Sequence, residues 1–325
     1  LQRVLTSVTL LGLLVLTAAA FAITEHLKLI KSPIFGAHVT NREGVPTKLF
    51  SPVCRCPNRS ARITIKLRHR DRATVTIVDA AGHKVAQIGT NDDLSARTPH
   101  VFAWNGHNAY RYGGSYHSGR AADGVYHPQV HLAHARHTYR FTNNIILDTV
   151  PPKVLAASTV KKTPVLFGGP GRSVAIRYLF DKPAHAAVYL GKRLIVFGHK
   201  TKQPGKVKWA GRVGGRPLPA GTYVLSVGGQ DKAGNQTPVA KRRHVRVELR
   251  YVELSPGRLT VRAGLPLRVR VRTAASRYTW RLGKRHGTRR GRLLRLRAPT
   301  TPGTYRLVVS EDGQSTTAVV RVRAK

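Results

Sequence analysis

The chain has 325 residues, with 56 Lys and Arg against 14 Asp and Glu, a formal charge of +42 at pH 7. Hydrophobic residues at 41% exclude a wholly disordered chain, and 30 Gly with 19 Pro suit a loop-rich β protein better than a helical bundle. So basic a chain is expected beside a polyanion, and its two cysteines are too few for a disulfide framework or a four-thiolate zinc site.

Residues 4–24 carry no charge and include Leu10, Leu11, Leu13, Leu14, Val15, Leu16, Phe21 and Ile23. As a helix at about 1.5 Å per residue they reach roughly 30 Å, the thickness of a bilayer core, so residues 1–24 are expected to be a transmembrane anchor. A signal segment cleaved after Ala20-Phe21-Ala22, leaving a secreted chain from residue 23, is the competing reading. Lys28 and Lys31 follow the run and Arg3 alone precedes it, which taken locally would hold the remainder on the cytoplasmic side. Long domains cross largely regardless of such charges, and the bulk is expected outside, on a single-pass membrane protein. Residues 25–47 read as a stalk.

From residue 48 onward the apolar period is 2. Ile63, Ile65 and Leu67 share one face of a strand, Val75 and Ile77 repeat the pattern, and Ala80-Ala81-Gly82 supplies a turn. Residues 174–180, 224–227, 267–271, 305–309 and 319–322 alternate in the same way. An all-β chain of tandem sandwiches is expected, with domains over residues 48–150, 151–248 and 249–325. A repeat supports the division. Trp104-Asn105-Gly106 precedes Asp123-Gly124-Val125-Tyr126, Trp209-Ala210-Gly211 precedes Gly221-Thr222-Tyr223, and Trp280 precedes Gly303-Thr304-Tyr305. Each glycine is expected to supply a turn with positive φ, and each tyrosine to lay its ring on the core with its hydroxyl at the rim.

Phe50-Ser51-Pro52, the strand over residues 63–67, residues 74–79 with Gly82, Trp104-Asn105-Gly106 and Asp123-Gly124-Val125-Tyr126 together resemble the Ig-like domain of the flagellar hook-capping protein FlgD. Asp148-Thr149-Val150-Pro151-Pro152 is similar to the link between such domains, and Asp231-Lys232-Ala233-Gly234-Asn235 resembles the closing signature of bacterial Ig-like repeats. The resemblance covers residues 48–248 and implies a non-catalytic, extracytoplasmic array of Ig-like, fibronectin-like sandwiches of bacterial type. Where that family often has Asn-Gly-Asp-Gly after Ser-Pro, this chain has Val53-Cys54-Arg55-Cys56.

No nucleophile elbow, P-loop or zinc-protease motif is present, and Asp92-Asp93 is the one adjacent pair of aspartates. No catalytic residue, cofactor or metal is therefore expected. His127, His131, His134 and His137 invite a metal reading, but His131 and His134 would point to opposite faces of a strand and no cysteine is near. Cys54 and Cys56 are candidates for a disulfide, with an intermolecular bridge, a metal or redox role and inert thiols as alternatives. Lys241, Arg242, Arg243, Lys284, Arg285, Arg289, Arg290 and Arg292 are the candidate polyanion contacts, in the densest basic stretch of the chain.

The function expected is a membrane-anchored envelope protein whose sandwiches serve as spacer and adhesion or interaction module for anionic cell-wall polymers or another surface protein. A nucleic-acid-binding protein is the alternative, disfavoured because no homeodomain, zinc-finger, RRM or helix-turn-helix signature appears. An envelope enzyme or metal-binding protein is the third reading.

Overall fold

The period-2 pattern sets the architecture, because it gives every strand one apolar face to bury. The computed structural model describes residues 12–21, 32–112, 115–160, 164–169 and 171–324. The chain divides into two units, Leu1–Thr149 and Val150–Lys325.

Residues 12–21 form a helix. No helix among the described residues is long and apolar enough to cross a membrane. That finding overturns the expected single-pass anchor and the membrane localisation drawn from it. The rest of the apolar run, residues 4–11 and 22–24, lies outside the described residues, as does Ala22 of the cleavage motif.

The first unit contains β1 (Ile34–Thr40), β2 (Leu49–Phe50), β3 (Ala61–Leu67), β4 (Asp71–Asp79), β5 (Lys84–Leu94), β6 (His100–Trp104), β7 (His107–Tyr112), β8 (Ser115–Arg120), β9 (Gly124–Leu132), β10 (His137–Arg140) and β11 (Ile145–Leu147). One sheet runs β1-β3-β6 and the other β2-β11-β9-β4-β5-β7-β8, with β10 beside β9. Ile63, Ile65, Phe102 and Trp104 from the first join Val75, Ile77, Val130 and Leu132 from the second in one core. The segment expected as a stalk is partly folded here. β1 lies antiparallel on β3, with Ile34 beside Leu67 and Val39 beside Ile63, and both apolar residues enter the core.

The second unit continues with β12 (Val154–Thr159), β13 (Val165–Phe167), β14 (Val174–Leu190), β15 (Arg193–Phe197), β16 (Lys202–Trp209), β17 (Arg212–Val213), β18 (Arg216–Pro217), β19 (Gly221–Gln230) and β20 (Arg243–Arg250). Then follow β21 (Val252–Ser255), β22 (Arg258–Arg262), β23 (Pro266–Thr273), β24 (Arg277–Leu282), β25 (Arg285–Arg290), β26 (Leu293–Arg297), β27 (Gly303–Glu311) and β28 (Gln314–Arg323). β14 serves two sheets. Its first part pairs with β12 and β16, its last residues pair with β15 and β19, and it crosses over near Pro183.

One strand order thus occurs three times. The three-stranded sheets are β1-β3-β6, β12-β14-β16 and β21-β23-β26, and the larger ones contain β2-β11-β9-β4-β5, β13-β20-β19-β14-β15 and β22-β28-β27-β24-β25. In every copy a short early strand runs parallel to the last strand, while the neighbours within the smaller sheets are antiparallel. Two such sheets closed over one core are an Ig-like β-sandwich. The second and third sandwiches share a continuous core. Tyr251 between them donates its hydroxyl to Leu218 O (2.7 Å), and a side chain on Gly168 would strike its ring, 2.4 Å from Cε1.

The aromatic repeat has a physical basis, though a different one at its third copy. Tyr126, Tyr223 and Tyr305 each stand third in their strand and donate the hydroxyl to the carbonyl four residues back, at Ala122, Pro219 and Thr301 (2.5, 2.7 and 2.9 Å). That bond ties the incoming loop to the strand, as in the tyrosine corner of Ig sandwiches. Trp104 and Trp209 end their strands, meet Tyr126 and Tyr223 edge to face, and donate Nε1 to His107 O (2.9 Å) and Arg212 O (3.1 Å). The turns that present those carbonyls need Gly106 and Gly211, at φ +76° and +72°, where a Cβ would come within 2.9 Å of Pro52 and Leu249. Of the Gly-x-Tyr glycines, Gly303 alone has φ in the left-handed half, at +150°, so positive φ is a demand of the Trp-x-Gly turn instead. Trp280 sits within β24, the fourth strand of its sandwich, and its buried Nε1 has no hydrogen-bond partner among the described residues.

The indole hydrogen bond is worth about 1 kcal/mol and its loss leaves a turn carbonyl unpaired. Trp209→Phe is therefore expected to cost at least about 1 kcal/mol more than Trp280→Phe, read by urea unfolding followed by far-UV circular dichroism. Equal losses would show that the Trp209 bond contributes nothing.

Candidate polyanion interface

The third sandwich separates apolar from charged residues strand by strand. In β23, Leu267, Val269 and Val271 are buried and Arg268, Arg270 and Arg272 are exposed. In β26, Leu294 and Leu296 are buried, and Leu293, Arg295 and Arg297 are exposed. The register sets Arg268 directly opposite Arg295. Like charges so placed repel by roughly 0.2–1 kcal/mol. The opposite sheet repeats the arrangement, with Arg277 opposite Arg290 and Arg262 beside Arg323.

A groove of about 1350 Å³ opens along β23, lined by Arg268, Arg270, Arg272 and Arg292, and across it by Phe167 and Arg172 of the second sandwich. The one carboxylate lining it is Glu253, which Arg250 (2.9 Å) and Arg272 (3.6 Å) already share. Arg272 also lies over the Phe167 ring, 4.8 Å from its centroid. Arg172, Arg268, Arg270 and Arg292 form no ion pair among the described residues. The groove is thus a cluster of exposed guanidiniums, each offering a planar pair of donors to a bidentate oxyanion.

The eight expected contact residues do not converge. Arg292 alone lines this groove. Lys284, Arg285, Arg289 and Arg290 are exposed on the β24–β25 hairpin of the other sheet, where Arg285 donates to Arg297 O (2.9 Å). Lys241, Arg242 and Arg243 belong to the second sandwich, beside Pro152 and Pro238 in a smaller pocket. Arg242 is stacked on Tyr189, 3.6 Å from the ring centroid. Arg268, Arg270 and Arg272 had a sequence signal in their strict alternation with Leu and Val; Arg172, in a loop, had none.

Elsewhere, polar groups reach inward to hold loops. Asp71 accepts from the backbone of Arg72 and His134 (2.7 and 2.9 Å) and from His134 Nδ1 (2.8 Å). Burial pushes its carboxyl up, but those donors and Ala135 N outweigh the effect and hold it below the usual range. Asp231 of Asp-Lys-Ala-Gly-Asn accepts from Gly234 N, Asn235 N and Asn235 Nδ2 (2.9, 2.8 and 3.0 Å) and pairs with Lys182 (2.7 Å). The neighbouring Thr237 donates to Pro152 O (2.7 Å) and so ties the Pro-Pro segment down. The histidines have local partners too, His127 at Phe141 O (3.3 Å) and His131 at Thr138 Oγ1 (3.1 Å). No group of three metal-ligating side chains stands together among the described residues. Cys54 and Cys56 are joined as a disulfide far in sequence from the arginines.

The sequence matches no protein-family model and no curated protein. Among solved structures it is similar to an I-band fragment of titin, at 12% identity and TM-score 0.30 over 91% of this chain and 100% of that one. It is also similar to fibronectin(III)-like modules of Clostridium thermocellum CbhA (12%, TM-score 0.34, 65% and 93%) and to the N-terminal four Ig domains of Dscam1 (13%, TM-score 0.20, 90% and 73%). At such scores these likenesses carry no weight beside the strand order itself.

One buried acid adjoins the groove. Glu311 accepts a hydrogen bond from Thr273, and burial raises its carboxyl from 4.5 to about 7, against a lowering by Ala275 N. Between pH 4.5 and about 7 the unfolded chain gives up this proton while the folded chain keeps it. Stability is therefore expected to fall as pH rises through that window, by up to about 3 kcal/mol. Asp71, Asp79 and Asp93, all held low, titrate beneath it. Urea unfolding across this range should show the slope in the native chain and lose it in Glu311→Gln; a slope that survives the substitution belongs to other groups.

Proposed function

We propose that this chain is a non-catalytic interaction module, a tandem of Ig-like sandwiches whose third member holds an anionic polymer on its arginine-covered faces. The observation that carries this reading is the register of β23 and β26, which sets Arg268 against Arg295 with no carboxylate between them. Such crowding costs stability in the free protein; a bound polyanion neutralises it and releases its own counterions to solvent. The FlgD-like, bacterial character of the first two sandwiches rests on their sequence motifs. Anionic wall polymers have the chemistry these faces require, and double-stranded nucleic acid fits them less well. The faces are built from strands of arginines at a fixed two-residue step, and the chain carries no homeodomain, zinc-finger or helix-turn-helix signature.

The test is the salt dependence of binding by the full chain to an anionic polymer, with long-chain polyphosphate as probe, between about 50 and 300 mM salt. The logarithm of the affinity should fall linearly with the logarithm of the salt concentration. Replacing Arg172, Arg268, Arg270, Arg292, Arg295 and Arg297 by Gln should weaken binding at least 100-fold. Binding that is insensitive to salt, or untouched by those six changes, refutes the reading.

A further inference from the structure

The groove along β23 differs from the other arginine-bearing surfaces of the third sandwich in being two-sided, and its dimensions narrow the polymer. At about 1350 Å³ it exceeds the roughly 300–1000 Å³ that a compact small-molecule ligand fills, and it is an open channel rather than a pocket. Arg268, Arg270 and Arg272 line one side at every second residue of a strand, which spaces them about 6.7 Å apart. Two residues of extended backbone contain the same number of bonds as one repeat of a phosphodiester chain built on a three-carbon bridge, phosphorus to phosphorus. Both therefore span about 7 Å when extended. Inorganic polyphosphate places its charges at less than half that interval, and the interval in an acidic polysaccharide is set by the sugar ring.

The lining also bears on what the polymer carries. A groove that takes a single-stranded nucleic acid offers exposed aromatic faces on which bases stack. The one aromatic ring in this groove is Phe167, and Arg272 covers it. The remaining uncharged lining is aliphatic residues, Pro256 and small hydroxyl-bearing residues, none of which offers an aromatic face. Arg272 is engaged twice, by Phe167 and by Glu253, so that end of the row is closed. Arg268, Arg270 and Arg292, with Arg172 across from them, are left to meet the ligand.

We infer that this groove binds a linear polyol-phosphate chain, a phosphodiester polymer without bases, laid in single file along β23 with one phosphate to every two residues. The inference rests on the polyanion reading above and names the ligand class of the same face. Each phosphate presents two non-ester oxygens to the planar fork of one guanidinium, a pairing that a lysine does not reproduce.

The experiment uses the full chain and four polymers of matched charge: poly(glycerol phosphate), single-stranded DNA, polyphosphate and hyaluronate. Poly(glycerol phosphate) should bind at least 5-fold more tightly than each of the others near 150 mM salt. Arg268→Gln with Arg270→Gln should weaken it at least 10-fold and reduce the salt slope by about 1.4, the share of two phosphates on a single strand. Arg321→Gln with Arg323→Gln removes the same charge from the other sheet and should cost less than 3-fold. Arg268→Lys with Arg270→Lys keeps the charge and the fold, and should still cost about 3-fold. Equal losses from the two Gln pairs, or single-stranded DNA binding as tightly as poly(glycerol phosphate), would overturn the inference while leaving polyanion binding standing. If none of the four polymers binds, both readings fall together.

Discussion

Strand alternation in the third sandwich is the constraint on which the rest depends. Leu267, Val269 and Val271 must face the core if the two sheets are to close over one another, and the intervening positions must then face solvent. Because those positions are arginines, the interaction that stabilises the core also lines up positive charge at a fixed interval. Packing and charge crowding are two consequences of one register. A slip by a single residue would bury the arginines and expose the core together, which is why the register is strongly specified.

The acidic side chains do little to relieve that charge, because many are committed to holding the backbone. Asp71 ties the turn at His134, Asp231 closes its own loop and pairs with Lys182, and Glu311 is buried beneath Thr273. Glu248 and Glu253 converge on Arg250 at the junction of the second and third sandwiches, and that pairing holds the Arg250 guanidinium above its ordinary range. With only 14 acids in the chain, such roles leave Arg268 and Arg270 of β23 and the arginines of β26 without an ion pair among the described residues. A partner that brings anions satisfies a need the fold itself does not meet.

Several features were legible because their cause is local. The two-residue period of residues 63–67 and 267–271 states which side of a strand is buried, and Gly-x-Tyr marks the same corner in all three sandwiches. Trp280 misled, since a tryptophan before a Gly-x-Tyr looks alike in sequence whether it ends one strand or sits within another. The stalk reading missed β1 because Ile34 and Val39 find their neighbours on β3, some 30 residues away. The apolar N-terminal run met the length expected of a membrane span, yet no helix among the described residues is long and apolar enough to cross one.

What the sequence determined by itself was the class of fold, the tandem arrangement, the identity of the buried faces and the excess of positive charge. All of these follow from residue type and spacing within a few positions. The tertiary structure decided which arginines share a surface. It sent Lys241, Arg242 and Arg243 to one sandwich and Lys284, Arg285, Arg289 and Arg290 to a hairpin of another, and it brought Arg172 and Phe167 across from Arg268 and Arg270. A groove between two packed sandwiches joins residues about 100 positions apart, and no local period encodes that closeness. It arises from Tyr251 reaching Leu218 over the gap that Gly168 leaves open, a fit that exists only once both cores have formed.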